Sequence, residues 1–373
     1  MHVIHVVRQF YPAIGGLEDA VSNLAVGLSR HCGIQSSIVT LDRCFSHLGE
    51  KLPAQAIYNG LSVHRIPFWG STKYPLAPKI FSYLGEADIV HVHAVDSFFD
   101  ALSLTRHWHK RPMVASTHGG FFHTTFASKL KVAYFNSITR ASAQGYDRII
   151  ASSESDAAMF CRIAASKTVT IENGVNVGKW KDASSSVPTR TMIYIGRFSS
   201  NKNIEGLVKL VAALHRLHEG WRLIVAGGPA DITPSQIEAY THDTSTEGVV
   251  SIVSAPSDDH IKTLIGQASY IASASAYEGF GLSIVEGLSA GLTPIVNDIP
   301  PFRRLVKSSG TGTLINIADV EAAAAQVEAA HQENIGTYAS KRVENVEASK
   351  IHDWSAVSRK FANVYADVLE TYG

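Results

Sequence analysis

Short apolar runs alternate with amphipathic segments along the whole chain. In the first half the strand-like runs cover residues 3–7, 37–41, 62–66, 89–93, 113–117 and 148–151, and helical spacing covers 17–28, 98–107, 127–140 and 156–163. The second half repeats the rhythm. Its strands fall at 192–196, 222–226, 249–253, 270–274 and 293–296, and its helices at 204–218, 261–268, 282–290 and 320–331. Runs of Val and Ile without polar alternation are covered on both faces, the pattern of parallel sheets flanked by helices. The order predicts two doubly wound, Rossmann-like α/β domains facing a cleft, 1–172 and 173–352 in outline. A hinge is expected near 172–190, where Ser184-Ser185-Ser186-Val187-Pro188-Thr189 reads as a linker.

Composition narrows the class. Of 373 residues, 45% are hydrophobic and 18% charged, which excludes a disordered or fibrous chain. No run approaches the ~18 apolar residues of a spanning helix. Residues 1–7 read as a strand, not a signal peptide. Three cysteines without a CxxC fit a reduced cytosol. Residues 1–182 carry 18 Lys+Arg against 13 Asp+Glu, whereas residues 183–373 carry 15 against 20. The basic half holds 11 of the 17 histidines. Nothing resembles a nucleic-acid module, so the anionic partner expected of that half is a membrane surface or a phosphate-bearing substrate.

In such sheets ligands bind beyond the carboxyl ends of the strands, so the polar residues there are the ones to examine. Gly15-Gly16 follows the first strand and opens a helix, where backbone N–H groups favour anions. Neither a Walker A loop nor GxGxxG is present. His91 and His93 share one face of their strand; with no third ligand in view, hydrogen bonding is expected there over a metal. His118, followed by Gly119-Gly120, stands after the next strand. Arg197 and Lys202 follow the first strand of the second half, and a planar fork with a compact charge suits a diphosphate. Glu278-Gly279-Phe280-Gly281-Leu282-Ser283-Ile284-Val285-Glu286 carries two carboxylates around a flexible helix start: carboxylates for sugar hydroxyls, N–H groups for an anion. No DxD occurs, so protein cations are expected in place of a divalent metal.

Taken in order, Gly15-Gly16, His118, Glu172-Asn173-Gly174-Val175, Gly196-Arg197, Lys202 and the Glu278/Glu286 pair resemble the retaining glycosyltransferases of family GT4, with the two-domain GT-B fold. The resemblance covers the whole chain. It implies that Arg197 and Lys202 hold the donor diphosphate, that Glu286 binds the ribose, and that Glu278 and His118 contact the transferred sugar. Phe280, Gly281 and Leu282 then supply backbone groups, and Gly16 lies beside the phosphates. It also implies an acceptor-binding first domain, a donor-binding second domain, and a terminal helix within 353–373 that packs back on the first.

Val6-Val7-Arg8-Gln9-Phe10, the segment 116–124 and Asp298-Ile299-Pro300-Pro301-Phe302 further resemble the α-mannosyltransferases of xanthan- and acetan-type exopolysaccharide assembly. That implies GDP-mannose as donor, a polyprenyl-diphosphate-linked cellobiosyl unit as acceptor and an α-1,3 bond. Another donor or acceptor on the same fold, an epimerase, and a non-catalytic partner of an assembly complex are the alternatives. The expected chemistry is metal-independent, with the diphosphate leaving group neutralised by Arg197, Lys202 and the helix start near Gly281. Phe121 and Phe122 precede the helical segment 127–140, which carries Lys129 and Lys131 among apolar residues. A basic, aromatic-rich segment of this kind fits peripheral attachment to the inner face of the cell membrane.

Overall fold

The computed structural model describes residues 1–119 and 132–372. Phe121, Phe122, Lys129 and Lys131 lie outside the described residues. Packing divides the chain into two units, Met1–Gly174 with the terminal helix Trp354–Tyr372, and Val175–Asp353.

The first unit is built on ten strands: β1 (His2–Val6), β2 (Gln35–Leu41), β3 (Gln55–Tyr58), β4 (Leu61–Ile66), β5 (Trp69–Ser71), β6 (Tyr74–Leu76), β7 (Ile89–His93), β8 (Met113–Ser116), β9 (Arg148–Ala151) and β10 (Thr168–Thr170). Eight form one sheet in the order β10-β9-β8-β7-β1-β2-β4-β3, while β5 and β6 pair as a separate ribbon. Every neighbour in the large sheet is parallel except β3, which returns antiparallel on β4. β3, β5, β6 and β10 are short and carry no long apolar run, so the hydrophobic pattern does not reveal them. One face of the sheet packs Val3 and Ile89 against Leu24 and Leu28 of helix Gly16–Cys32 and against Phe361 and Tyr365 of the terminal helix. The other face buries Ile4, Val6 and Val92 with Phe99 and Tyr146.

The second unit holds β11 (Thr191–Ile195), β12 (Arg222–Gly227), β13 (Val250–Ser254), β14 (Tyr270–Ser273), β15 (Thr293–Asn297) and β16 (Thr313–Ile315), in the order β13-β12-β11-β14-β15-β16. All pairs are parallel. Helix Ile204–Leu217 and Trp221 cover one face, and Ile284, Val285 and Phe302 lie in the cluster on the other. One helix starts earlier than its apolar spacing implies. Ser257 accepts a hydrogen bond from the His260 amide and caps Asp258–Ile265, ahead of the first apolar position.

The expected linker at 184–189 is corrected by the structure. The chain leaves the first unit at Gly174, and Ser184 and Ser185 are buried within the second. The Ser184 amide donates to the Ala290 carbonyl at 2.8 Å and the Ser185 amide to the Ala268 carbonyl at 3.1 Å. Small hydroxylated residues read as loop by composition, but here they fit against helix ends and have partners for their polar groups.

The strand orders place the useful crevices. In each sheet the order reverses once beside a central strand, between β1 and β7 in the first unit and between β11 and β14 in the second. A ligand crevice opens beyond the carboxyl ends of the strands at such a point.

Candidate functional site

At the second unit's switch point, Gly196-Arg197 leaves β11 and the segment 274–281 leaves β14. The Lys202 ammonium lies 2.5 Å from Glu278 Oε1, and Ser275 Oγ donates to the same oxygen at 2.8 Å. A backbone bond from the Ala276 amide to the Asn201 carbonyl, 3.0 Å, ties the two loops together. Lys202 and Glu278, which the sequence assigns to diphosphate and sugar, are therefore one ion pair here. Glu278 Oε2 accepts no hydrogen bond among the described residues, and two N–H groups of the ammonium remain for a ligand. Arg197 is exposed, and among the described residues its guanidinium has no hydrogen bond or ion pair. Its carbonyl is held by the Tyr194 hydroxyl at 2.7 Å. The turn bearing Arg197 lies against the end of β12: a Cβ on Gly227 would stand 1.7 Å from the Gly196 carbonyl oxygen.

The start of helix Leu282–Ser289 has the form an anion needs. Gly281 caps it with φ +99°, and a Cβ there would sit 2.8 Å from the Phe302 ring. Only glycine meets both conditions without strain. No acidic residue stands in the first turn, and the Leu282 and Ser283 amides have no partner among the described residues. Phe280 is buried, with its ring 5.0 Å from that of His352. Glu286 lies a turn into the helix and is half-buried. Burial pushes its carboxyl above the usual range, Lys179 opposes that, and Asp258 adds to it. Lys179 pairs with Asp258 at 2.8 Å.

In the first unit, helix Gly16–Cys32 follows β1. A Cβ on Gly16 would meet nothing within 4 Å, so open space faces that backbone. Glu18 and Asp19 occupy the same first turn. Their charges oppose an anion, which leaves close backbone approach at Gly16 as what the turn offers; a Cβ on Gly15 would stand 2.5 Å from Glu18 Oε2. Arg8, just past β1, pairs with the buried Asp96 beyond β7 at 2.7 Å. Burial outweighs Arg8 and pushes the Asp96 carboxyl up to about 6.

His118 stands beyond β8 with φ +52°. Its Nε2 is 2.8 Å from His93 Nδ1, and His93 Nε2 is 2.9 Å from His5 Nδ1. From the other side Asp156 Oδ2 accepts from Thr117 Oγ1 at 2.7 Å, Ser152 Oγ at 2.9 Å and the Gly119 amide at 3.0 Å, clamping the turn that carries His118. Burial lowers the His118 ring to about 4, so it is neutral at physiological pH. One nitrogen each of His5, His91 and His93 lies within 4.8 Å of the others. His5 is the third imidazole that the sequence does not bring into view. The ring nitrogens of His91 already face Tyr365 Oη at 2.7 Å and Ser116 Oγ at 2.8 Å, so hydrogen bonds hold this cluster.

Comparison with known proteins decides the family. Residues 14–179 match Glycosyltransferase Family 4 and residues 179–348 match Glycosyl transferases group 1. A protein of Xanthomonas oryzae pv. oryzae (strain PXO99A) is 42% identical, with 99% of this chain and 97% of that protein covered. One of Komagataeibacter xylinus is 40% identical, covering 99% and 94%. Both are named GDP-mannose:cellobiosyl-diphosphopolyprenol alpha-mannosyltransferase. The chain belongs to glycosyltransferase family 4. The solved sucrose-phosphate synthase of Thermosynechococcus elongatus superposes with a TM-score of 0.75 at 17% identity, over 99% of each chain, and shares the GT-B fold.

In this glycosyltransferase the two groups of site residues are each assembled within one unit. Arg197, Lys202, Glu278, Gly281, Leu282 and Glu286 cluster around β11, β14 and one helix. His118 and Gly16 belong to the other unit. Sequence reasoning missed Ser275, Asp156 and His5. Each lies far along the chain from a partner or acts through a hydroxyl or a pairing register that spacing does not encode. His5 carried the one usable signal: it stands inside Val3–Val6, a run that is otherwise apolar and is buried throughout.

Proposed function

We propose that this glycosyltransferase moves mannose from GDP-mannose to cellobiosyl-diphosphopolyprenol with retention at the anomeric carbon, making an α-1,3 bond. The observation that carries the reading is the 40–42% identity across nearly the whole chain to proteins of that name. Geometry supports it through the second unit, where Arg197, with no guanidinium partner among the described residues, the Lys202 ammonium with two N–H groups to spare and two helix amides without partners among the described residues all follow β11 or β14. In this reading Arg197, Lys202 and the amides of Leu282 and Ser283 take the leaving diphosphate, and Glu286 takes the ribose hydroxyls. Glu278 Oε2 and His118 Nδ1 meet the mannose, while Gly16 lets backbone approach the donor. Charge grows on the diphosphate as the glycosidic bond breaks, and preformed donors stabilise it without rearrangement.

The test is transfer of labelled sugar to a polyprenyl-diphosphate disaccharide from GDP-mannose and, separately, UDP-glucose. Transfer from UDP-glucose alone defeats the donor assignment. The reaction is proposed to need no divalent metal, because Arg197 and Lys202 supply the cations. Activity therefore survives EDTA; loss with chelator and recovery with Mn²⁺ overturns this point. Glu286→Ala is expected to weaken GDP binding by about 1–3 kcal/mol through lost charged hydrogen bonds, with little change in kcat at saturating donor. Calorimetry with GDP checks it, and wild-type affinity removes Glu286 from the nucleotide.

A lipid-linked acceptor requires the enzyme to work at a membrane surface. No described helix is long and apolar enough to cross one. We assign attachment to Phe121, Phe122, Lys129 and Lys131 on the inner face of the membrane. Flotation with anionic vesicles is expected to fall when Lys129 and Lys131 are both changed to Glu. Unchanged or salt-insensitive flotation rejects the surface.

A further inference from the structure

Three histidines at three strand ends, His5 and His93 buried and His118 half-buried, form one continuous chain. It begins at Ser36 Oγ, 3.4 Å from His5 Nε2. It runs through His5 Nδ1 to His93 Nε2 at 2.9 Å and from His93 Nδ1 to His118 Nε2 at 2.8 Å. It ends at His118 Nδ1, which is buried and has no partner among the described residues. β1 and β7 are neighbours, and β8 lies next to β7, so parallel pairing at one end of the sheet delivers the three rings in sequence.

A neutral imidazole carries one N–H and one lone pair. Each of the two ring–ring bonds needs an N–H facing a lone pair. Only two arrangements satisfy both at once. In one, all three rings carry hydrogen on Nδ1 and the free end at His118 donates. In the other, all three carry it on Nε2 and the free end accepts. Any mixed arrangement sets two hydrogens or two lone pairs against each other in a buried site, which is costly. A water-exposed histidine can switch tautomer alone; His118 cannot.

We propose that His93 and His5 are positioning residues for sugar transfer: they hold the ring plane of His118 and tie its tautomer to their own, so that its Nδ1 meets a sugar hydroxyl as a hydrogen-bonding group that cannot switch sense alone. The proposal rests on the reading of His118 as a residue that contacts the transferred sugar. Burial agrees with it, lowering His5 to about 3 and His93 well below its ordinary value, so the chain stays uncharged at physiological pH. His91 lies beside the chain, its nitrogens turned to Tyr365 and Ser116, and forms no link in it.

The experiment uses the full-length enzyme with its lipid acceptor. His93→Leu removes the bond to His118, whereas His93→Asn keeps an amide where Nδ1 stood. His93→Leu is expected to lower kcat about tenfold or more with donor KM little changed, on the scale of a misplaced reacting group. His93→Asn is expected to recover most of that loss. In a His118→Ala background His93→Leu is expected to add nothing. A folded His93→Leu with wild-type kcat, or one that multiplies its full loss onto His118→Ala, overturns the proposal. Near-normal kcat in His118→Ala alone defeats the sugar-contact reading instead. The lock itself is then read by nitrogen-15 NMR of labelled histidines. His5, His93 and His118 are expected to show one shared tautomer in the wild type, with His118 becoming mixed in His93→Leu. Different tautomers among the three wild-type rings overturn the lock whatever the kinetics; if His93→Leu does not fold, this wild-type spectrum and His93→Asn carry the test.

Discussion

Replacing Glu278 by alanine lowers kcat about 100-fold, and replacing Lys202 by alanine lowers it comparably, yet the double variant is little worse than either single one. The size follows from one electrostatic contact made in the transition state, about 3 kcal/mol. The failure to multiply follows from the 2.5 Å bond between Lys202 Nζ and Glu278 Oε1. Each side chain holds the other in place, so removing either disorders both, and such pairs do not add. Glu278→Gln sharpens the test. It keeps an acceptor for Ser275 but loses the charge. If the carboxylate stabilises positive charge developing at the anomeric carbon, Gln is nearly as poor as Ala. If Glu278 only props Lys202 against the diphosphate, both substitutions instead raise the KM for donor. The variants stay folded, because both side chains retain some access to water and the lone partner can rehydrate. Near-normal kcat in Glu278→Ala removes Glu278 from the chemistry, and full multiplication in the double variant means that the two side chains act independently.

The second unit was legible in the sequence to a degree the first was not, and the reason is physical. Five of its six strands show in the apolar pattern, the three-residue β16 being missed; β11, β12, β14 and β15 are buried along most of their length, and most of its site residues follow β11 or β14. Gly281 announces its turn because φ +99° against Phe302 admits no side chain. In the first unit β3, β5, β6 and β10 carry three or four residues each, too few for periodicity to show. The Ser-rich segment 184–189 misled for a related reason: composition reports polarity, while burial depends on partners such as Ala268 and Ala290 that lie about a hundred positions away. The histidine chain was half legible. His91 and His93 declare a shared face by alternation, but His5 joins them only through the pairing of β1 with β7, and pairing order is not written in local spacing.

That same cluster makes the first unit acid-sensitive. Burial holds His5 at about 3 and His118 at about 4, and it lowers His91 and His93 in the same direction. In the unfolded chain histidine titrates near 6.5. As pH falls below ~6.5, the unfolded chain binds protons that the folded chain refuses, so stability falls with pH until the folded values are reached. At pH 5 the cost is about 2 kcal/mol for His5 and about the same for His118. Asp96 acts in the opposite sense. Its folded value of about 6 lies above the carboxylate range, so the folded state gains a proton first. That returns about 1 kcal/mol over the same interval. The histidines win, and the first unit loses on the order of 3 kcal/mol between pH 7 and pH 5 before His91 and His93 are added. Urea melts at the two values, read by hydrogen exchange of the amides of β1, β7 and β8, measure it. His5→Gln removes one of the buried imidazoles and is expected to flatten the loss by about 2 kcal/mol at pH 5. A first unit equally stable at pH 7 and pH 5 would mean that these rings are not held neutral by the fold, and the chain of single-sense hydrogen bonds ending at His118 would lose its physical basis with them.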